Sequence, residues 1–173
     1  LGTALEGNIV GIGNLILTGK NTISYSGKNT YTGNTYITDS ATLATLTSNT
    51  FSTNASYHID SDSTLDLNGY NQTVSSITNN GLINFNSGSA YTTLTANGNY
   101  VGNNGTVLFK TNFTDDKYDL LAIKGNASGS TKITLSDTTD IEKNASLNGI
   151  KLVQVDGTSS NNAFLLSSTL NIG

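Results

Sequence analysis

Asn-Gly and Gly-Asn pairs punctuate this chain over most of its length: Asn68-Gly69, Asn80-Gly81, Asn97-Gly98, Gly102-Asn103, Asn104-Gly105, Gly125-Asn126 and Asn148-Gly149. Asn and Gly enter left-handed backbone space at little cost, so each pair marks a tight turn. Between the turns lie short runs of Thr, Ile, Leu and Val, with no helical stretch. Strands at near-regular spacing without intervening helices predict a repetitive all-β body. Such a stack is a spacer or a surface, and becomes an enzyme only where catalytic side chains are grafted onto it.

The strand pattern is period two. Ile59, Leu65 and Leu67 share one parity with Ser61 and Ser63, while Asp60, Asp62, Thr64, Asp66 and Asn68 share the other. That split predicts one half-buried strand over Ile59–Asn68. Ile133 and Leu135 alternate with Lys132 and Thr134, and Leu121 and Ile123 precede Lys124. Ile150–Val155 carries apolar residues on both parities, which predicts burial on both sides or a bulge. Residues 1–58 contain the near-duplication Gly19-Lys20-Asn21-Thr22 and Gly27-Lys28-Asn29-Thr30. Residues 59–173 hold longer strands, more acid and more irregular loops. With no Pro- or Ser-rich linker between them, the two parts read as one continuous solenoid. An open solenoid end is an exposed sheet edge and needs a cap, for which the less regular C-terminal part is the candidate.

Composition removes several function classes. The chain has no Cys, Pro, Met or Trp, and a net charge of −4. Zero Cys excludes disulfides and thiolate metal sites. All basic residues are Lys and none are adjacent, so the clusters that nucleic acid requires are missing. No apolar run reaches the roughly 18 residues of a membrane-spanning helix. Leu1 is not a natural start, so the chain is expected to be a fragment or a processed form.

The chemically suggestive residues each have a plainer reading. His58 has Asp60 two residues away, but Ser87-Gly88-Ser89 lacks the flanks of a nucleophile elbow, so His58 is expected on a solvated strand face. Asp60, Asp62 and Asp66 form a row at strand spacing that could attract Ca²⁺, but no Gly-rich calcium repeat accompanies them. Asp115, Asp116 and Asp119, with Lys117, read as a solvated loop. The eight Tyr residues could form a sugar-stacking row, but a Tyr at a strand end more often packs its ring and wets its hydroxyl. No catalytic, cofactor or metal site is expected.

Leu15-Ile16-Leu17-Thr18-Gly19, followed by Asn29-Thr30-Tyr31-Thr32-Gly33 and Asn34-Thr35-Tyr36-Ile37, resembles the strand repeat of bacterial autotransporter passengers. The copy is imperfect: about eight residues precede the Asn-Thr-Tyr, and Ala41-Thr42-Leu43 lacks the usual Gly. Further on, Thr64-Leu65-Asp66-Leu67-Asn68-Gly69, Ile77-Thr78-Asn79-Asn80-Gly81, Gly105-Thr106-Val107-Leu108, Asp119–Gly129 and Gly149–Gly157 are similar to the pertactin-type end of such passengers. The resemblance implies a right-handed parallel β-helix with a C-terminal cap containing antiparallel β-hairpins. Those hairpins are expected around Asp119–Ile123, Thr131–Leu135 and Ile150–Val155.

It also implies an autochaperone that folds first, supports secretion across the outer membrane and acts as a stalk at the cell surface. The implied partners are a translocator barrel of the same chain and upstream passenger rungs. The alternative is an adhesin module binding host protein or glycan. Leu121, Ile123, Ile150, Leu152, Val155 and Phe164 are the candidate cap core.

Overall fold

The computed structural model describes residues 2–137 and 149–167. They form seventeen strands and no helix. In chain order these are β1 (Thr3–Leu5), β2 (Leu15–Leu17), β3 (Thr22–Tyr25), β4 (Thr35–Ile37), β5 (Thr42–Thr45), β6 (Ser56–Ile59), β7 (Thr64–Asp66), β8 (Gln72–Val74) and β9 (Ser76–Asn79). Then come β10 (Leu82–Asn84), β11 (Thr93–Ala96), β12 (Tyr100–Asn112), β13 (Lys117–Tyr118), β14 (Leu120–Ile123), β15 (Ala127–Asp137), β16 (Val153–Val155) and β17 (Phe164–Leu166).

The strands stack into three parallel faces wound by one chain, a parallel β-helix. The first face runs β1, β3, β5, β7, β10, the later part of β12, the later part of β15 and β17. The second runs β2, β4, β6, β9 and the earlier parts of β12 and β15. The third, β8, β11, β14 and β16, begins only at Gln72. Before that residue the third side is a column of single bonds, such as Thr30 N–H to Ile9 O at 2.9 Å and Asn49 N–H to Asn71 O at 3.0 Å.

Period-two patterning dictates what fills the helix. On the first face Ile23, Leu43, Leu65, Ile83, Val107, Ile133 and Leu166 stand side by side in successive rungs. Those pairings make the rungs 20, 22, 18, 24, 26 and finally 33 residues long. From Leu43 to Ile133 the position stays buried whatever the length of the corner loop, whereas Leu166 in the last described strand is exposed. Leu43, Leu65, Ile83 and Val107 are fully buried, each worth about 1.5–3 kcal/mol in apolar transfer.

The Gly-Asn pairs sit at corners that join parallel faces. Their turns are tight, as at Asn68 (φ 44°) and Gly69 (φ 80°) between β7 and β8. Elsewhere they form a ladder. Asn14 Oδ1 accepts the Asn34 N–H, Asn99 Oδ1 the Asn126 N–H, and Asn126 Oδ1 the Thr158 N–H, each at 2.9 Å. The preceding glycines stack backbone on backbone: Gly125 N–H donates to Gly98 O and Gly157 N–H to Gly125 O, both at 3.0 Å. A Cβ on Gly125 would collide with Gly98.

Two local expectations change. The run Ile59–Asn68 is two strands, because Asp60–Ser63 is a tight corner, closed by Ser63 N–H to Asp60 O at 3.0 Å with Asp62 at φ 65°. Among the described residues the antiparallel pairing is β12 with β13, Thr111 opposite Tyr118 and Asn112 opposite Lys117. The three segments expected to hold the hairpins, Asp119–Ile123, Thr131–Leu135 and Ile150–Val155, contribute β14, part of β15 and β16, which pair in parallel. In each, the inward parity continues a column set by the rung before, so parallel addition buries the same residues without a reversal.

Candidate functional site

The interior is apolar along the whole axis, with polar networks set into it. In the early rungs one such network joins Tyr31, Thr35, Ser52 and Tyr57, and another gathers around Gln72. Tyr31 Oη lies 2.5 Å from Thr35 Oγ1 and 3.3 Å from Tyr57 Oη. Ser52 donates its N–H to Tyr57 Oη at 3.0 Å and its hydroxyl to Tyr31 O at 2.6 Å. Gln72 Oε1 accepts the amides of Thr50 and Phe51, while its Nε2 donates to Thr45 Oγ1 and Thr47 O. Burial holds the hydroxyls of Tyr25, Tyr31 and Tyr57 above the ordinary phenol range. The Tyr25 hydroxyl is buried without a hydrogen-bond partner.

Beyond Gln72 an apolar column also lines the third face. It consists of Val74, Leu94, Ala96, Leu121 and Ile123, and Phe85 stacks on Phe109 at 5.0 Å. Of the six candidate cap residues, Leu121 and Ile123 are fully buried in β14, opposite Leu94 and Ala96 of β11. Val155 in β16, Phe164 in β17 and Leu152 just before β16 are half-buried against the core. Ile150 is half-buried, outside any strand. The Phe164 ring rests 5.3 Å from that of Tyr100. Tyr100 Oη meets Thr131 Oγ1 at 2.8 Å and accepts from Asn79 Nδ2 at 3.3 Å, so this corner is a satisfied polar network.

Sequence reasoning missed Leu94, Val107, Phe85, Phe109 and Tyr100, which the same odd-even parity would have found. It also missed a buried charged pair. Lys110 is 6 % exposed and Asp119 0 %. Asp119 accepts the Thr92 N–H at 2.8 Å on Oδ1 and the Lys110 N–H at 2.6 Å on Oδ2. Burial raises its carboxyl above the ordinary range, against the lowering pull of the Thr92 and Lys110 amides and the Lys110 charge. Lys110 Nζ donates to Gly88 O and, at 2.6 Å, to Ala90 O, and sits 5.2 Å from the Tyr91 ring centre. Asp119 therefore does not belong to a solvated acidic loop; only its neighbours Asp115 and Asp116 are exposed.

The other suggestive residues separate. His58 is half-buried on the outer side of β6, stacked 4.8 Å from Tyr36 of the preceding rung. Asp60 and Asp62 lie on the corner, whereas Asp66 lies on β7, where it accepts the Asn68 N–H at 2.8 Å and the Ser87 hydroxyl. A single Tyr row does not form: Tyr25, Tyr31, Tyr57 and Tyr100 are core, and the other four are half-buried or exposed. Lys124 and Asp156 form an exposed pair at 3.1 Å between adjacent rungs. A hydrogen bond from Gln154, then the Lys124 ammonium, lowers the Asp156 carboxyl below its ordinary range.

Comparison with known proteins bears on this same end of the molecule. The family described as Autochaperone Domain Type 1 matches residues 72–173. The uncharacterized protein YuaQ of Escherichia coli K12 is 32 % identical over 171 residues, which are 98 % of this chain and 12 % of YuaQ. YdeU of the same strain is 34 % identical over 82 residues, 46 % of this chain and 17 % of YdeU. YuaO is 29 % identical over 149 residues, 86 % of this chain and 8 % of YuaO. The chain thus spans a small fraction of the length of each of these relatives. The match begins at Gln72, the residue that opens the third face, and on this ground the chain belongs to the type 1 autochaperone family of autotransporter passengers.

Proposed function

We propose that this segment is the non-enzymatic folding nucleus and stalk of its passenger. It supports secretion across the outer membrane and display at the cell surface. The observation that carries this reading is the coincidence of two boundaries at Gln72. The family match starts there and the third parallel face starts there, so rungs with two hydrogen-bonded faces give way to rungs with three.

A solenoid folds by nucleation and nearest-neighbour propagation. Rungs with three hydrogen-bonded faces supply the most favourable nucleus. The edges of β8, β9 and β10 then offer a template for the rung before them. A folded end outside the membrane opposes back-sliding of the chain without any external energy source. The implied partners are the translocator barrel of the same protein and the upstream passenger rungs, and the implied location is the bacterial surface.

The test is display of the full-length protein carrying Leu121→Ala or Ile123→Ala, scored by protease-resistant passenger on intact cells. The expected result is a several-fold loss of resistant passenger with normal synthesis, while His58→Ala leaves display unchanged. Normal display with the Leu121 or Ile123 site truncated, or its loss on changing His58 alone, would overturn the reading.

A further inference from the structure

The antiparallel detour of β12 into β13 poses a problem of register. After it, the chain must rejoin the parallel stack with Thr93 beside Leu120, Leu94 beside Leu121 and Ala96 beside Ile123. Apolar alternation alone does not fix that choice. A one-residue slip would turn Leu121 and Ile123 outward and is excluded by burial, but a two-residue slip keeps every side chain on its own face. It would bring Ile123 beside Leu94, a neighbour of equal size, and Gly125 beside Ala96.

At the exit of β14 the Gly98–Gly125 and Asn99–Asn126 hydrogen bonds hold the native register; at its entry what distinguishes the two registers is charge. Lys110 leaves on β12 and Asp119 returns just after β13, joined by Lys110 N–H to Asp119 Oδ2 and by Asp119 N–H to Lys110 O at 3.1 Å. Both reach the same short segment of the preceding rung. The ammonium takes Gly88 O and Ala90 O and lies over Tyr91, and the carboxylate takes the Thr92 N–H and, at 3.3 Å, the Thr92 hydroxyl. We propose that Lys110 and Asp119 are the register key of this nucleus: two buried opposite charges on the detour grip Gly88–Thr92 and thereby fix which residue of β14 docks beside which residue of β11.

A two-residue slip moves the carboxylate by about 6.5 Å, two strand steps of about 3.3 Å, away from the Thr92 amide. The carboxylate would then be buried short of donors, and the buried Lys110 N–H would lose its acceptor, an arrangement that folded proteins avoid. An apolar pair at the two positions would fill the same space and carry no such penalty. The proposal deepens the folding-nucleus reading, on which it rests only for its consequence in secretion.

Register is read directly by disulfide trapping, since the chain has no cysteine of its own. Thr93→Cys with Leu120→Cys reports the native register, and Thr93→Cys with Ala122→Cys reports the two-residue slip. Each pair is placed in the 173-residue chain refolded from denaturant, with native Lys110 and Asp119, with Asp119→Asn, and with Lys110→Met plus Asp119→Leu. The native pair should give the in-register crosslink at least ten-fold over the slipped one. Asp119→Asn should reduce that preference, and the apolar pair should bring the two crosslinks to within about three-fold of each other.

An unchanged ten-fold preference in both variants would overturn the proposal. So would a variant that forms neither crosslink, because the pair would then be a general stability element. Crosslink ratios report register in the purified chain and display reports secretion, so either reading can fail without the other.

Discussion

Phe164 packs its ring 5.3 Å from that of Tyr100, although the two stand in β17 and in the early part of β12. The contact ties the last described strand to a rung whose tyrosine hydroxyl is already engaged with Thr131 and Asn79. Phe164→Ala should therefore loosen the closing rung. A fully buried Phe costs about 3–5 kcal/mol on truncation, and half-burial of this ring brings the expected loss to about 2 kcal/mol. Urea unfolding of the chain measures it. A loss near zero would mean that β17 is not part of the cooperative unit.

Truncation inside the apolar rungs should cost more. Leu121→Ala removes a fully buried side chain from the centre of the third face, and about 3 kcal/mol is expected. Leu152→Ala, only half-buried, should cost about 1–2 kcal/mol in the same assay. An equal loss at both positions would contradict the burial gradient across the cap.

Opening should begin at the rungs before Gln72. Residues 1–58 hold the Tyr31–Tyr57–Ser52 network and the unpartnered Tyr25 hydroxyl, and their third side is not a continuous sheet. In native-state hydrogen exchange the amides of β4 and β6 should open at lower free energy than those of β11 and β14. Simultaneous opening of both sets, or earlier opening of β11, would refute the nucleus as the more stable part.

Asp119 makes stability depend on pH with an unusual sign. Its carboxyl titrates higher in the folded chain than the unfolded value near 3.9, so the folded state holds its proton more tightly. The resulting stabilisation is complete below about pH 3.9 and is lost as pH rises through the raised value. Asp119→Asn should flatten that fall, leaving the urea midpoint less dependent on pH across this window. An unchanged pH profile in the variant would show that Asp119 does not titrate high.

The corner ladder should be sensitive where burial is not. Asn126 is exposed, yet its side chain accepts the Thr158 N–H and its own N–H is held by Asn99. Asn126→Ala should cost about 1 kcal/mol, the worth of one backbone-capping hydrogen bond. An exposed Asn outside the column, such as Asn97, should cost nothing measurable. Thermal unfolding of the two variants side by side checks this.

The short strands and their tight corners were legible in the sequence because alternation and Gly-Asn pairs are local signals, while their parallel stacking was implied by the family resemblance. Buried Leu121 and Ile123 were legible for the same reason. The corner at Asp60–Ser63 was hidden because Ile59 and Leu65 are an even number of residues apart, so parity passes through the turn unbroken. The direction of pairing at Thr131–Leu135 depends on which strand lies alongside, and that is set by residues some 26 positions earlier. Lys110 and Asp119 were missed for a different reason. A charged side chain announces solvent in a single sequence, and only the fold shows that Thr92, Gly88 and Ala90 have gathered around this pair.

Rungs of 18 to 26 residues keep one buried column from Leu43 to Ile133, so excess length is discharged into the corner loops. The interior and the exterior of such a protein can therefore change at independent rates. Whole loops can be swapped, lengthened or rewritten while the spine beneath them stays the same.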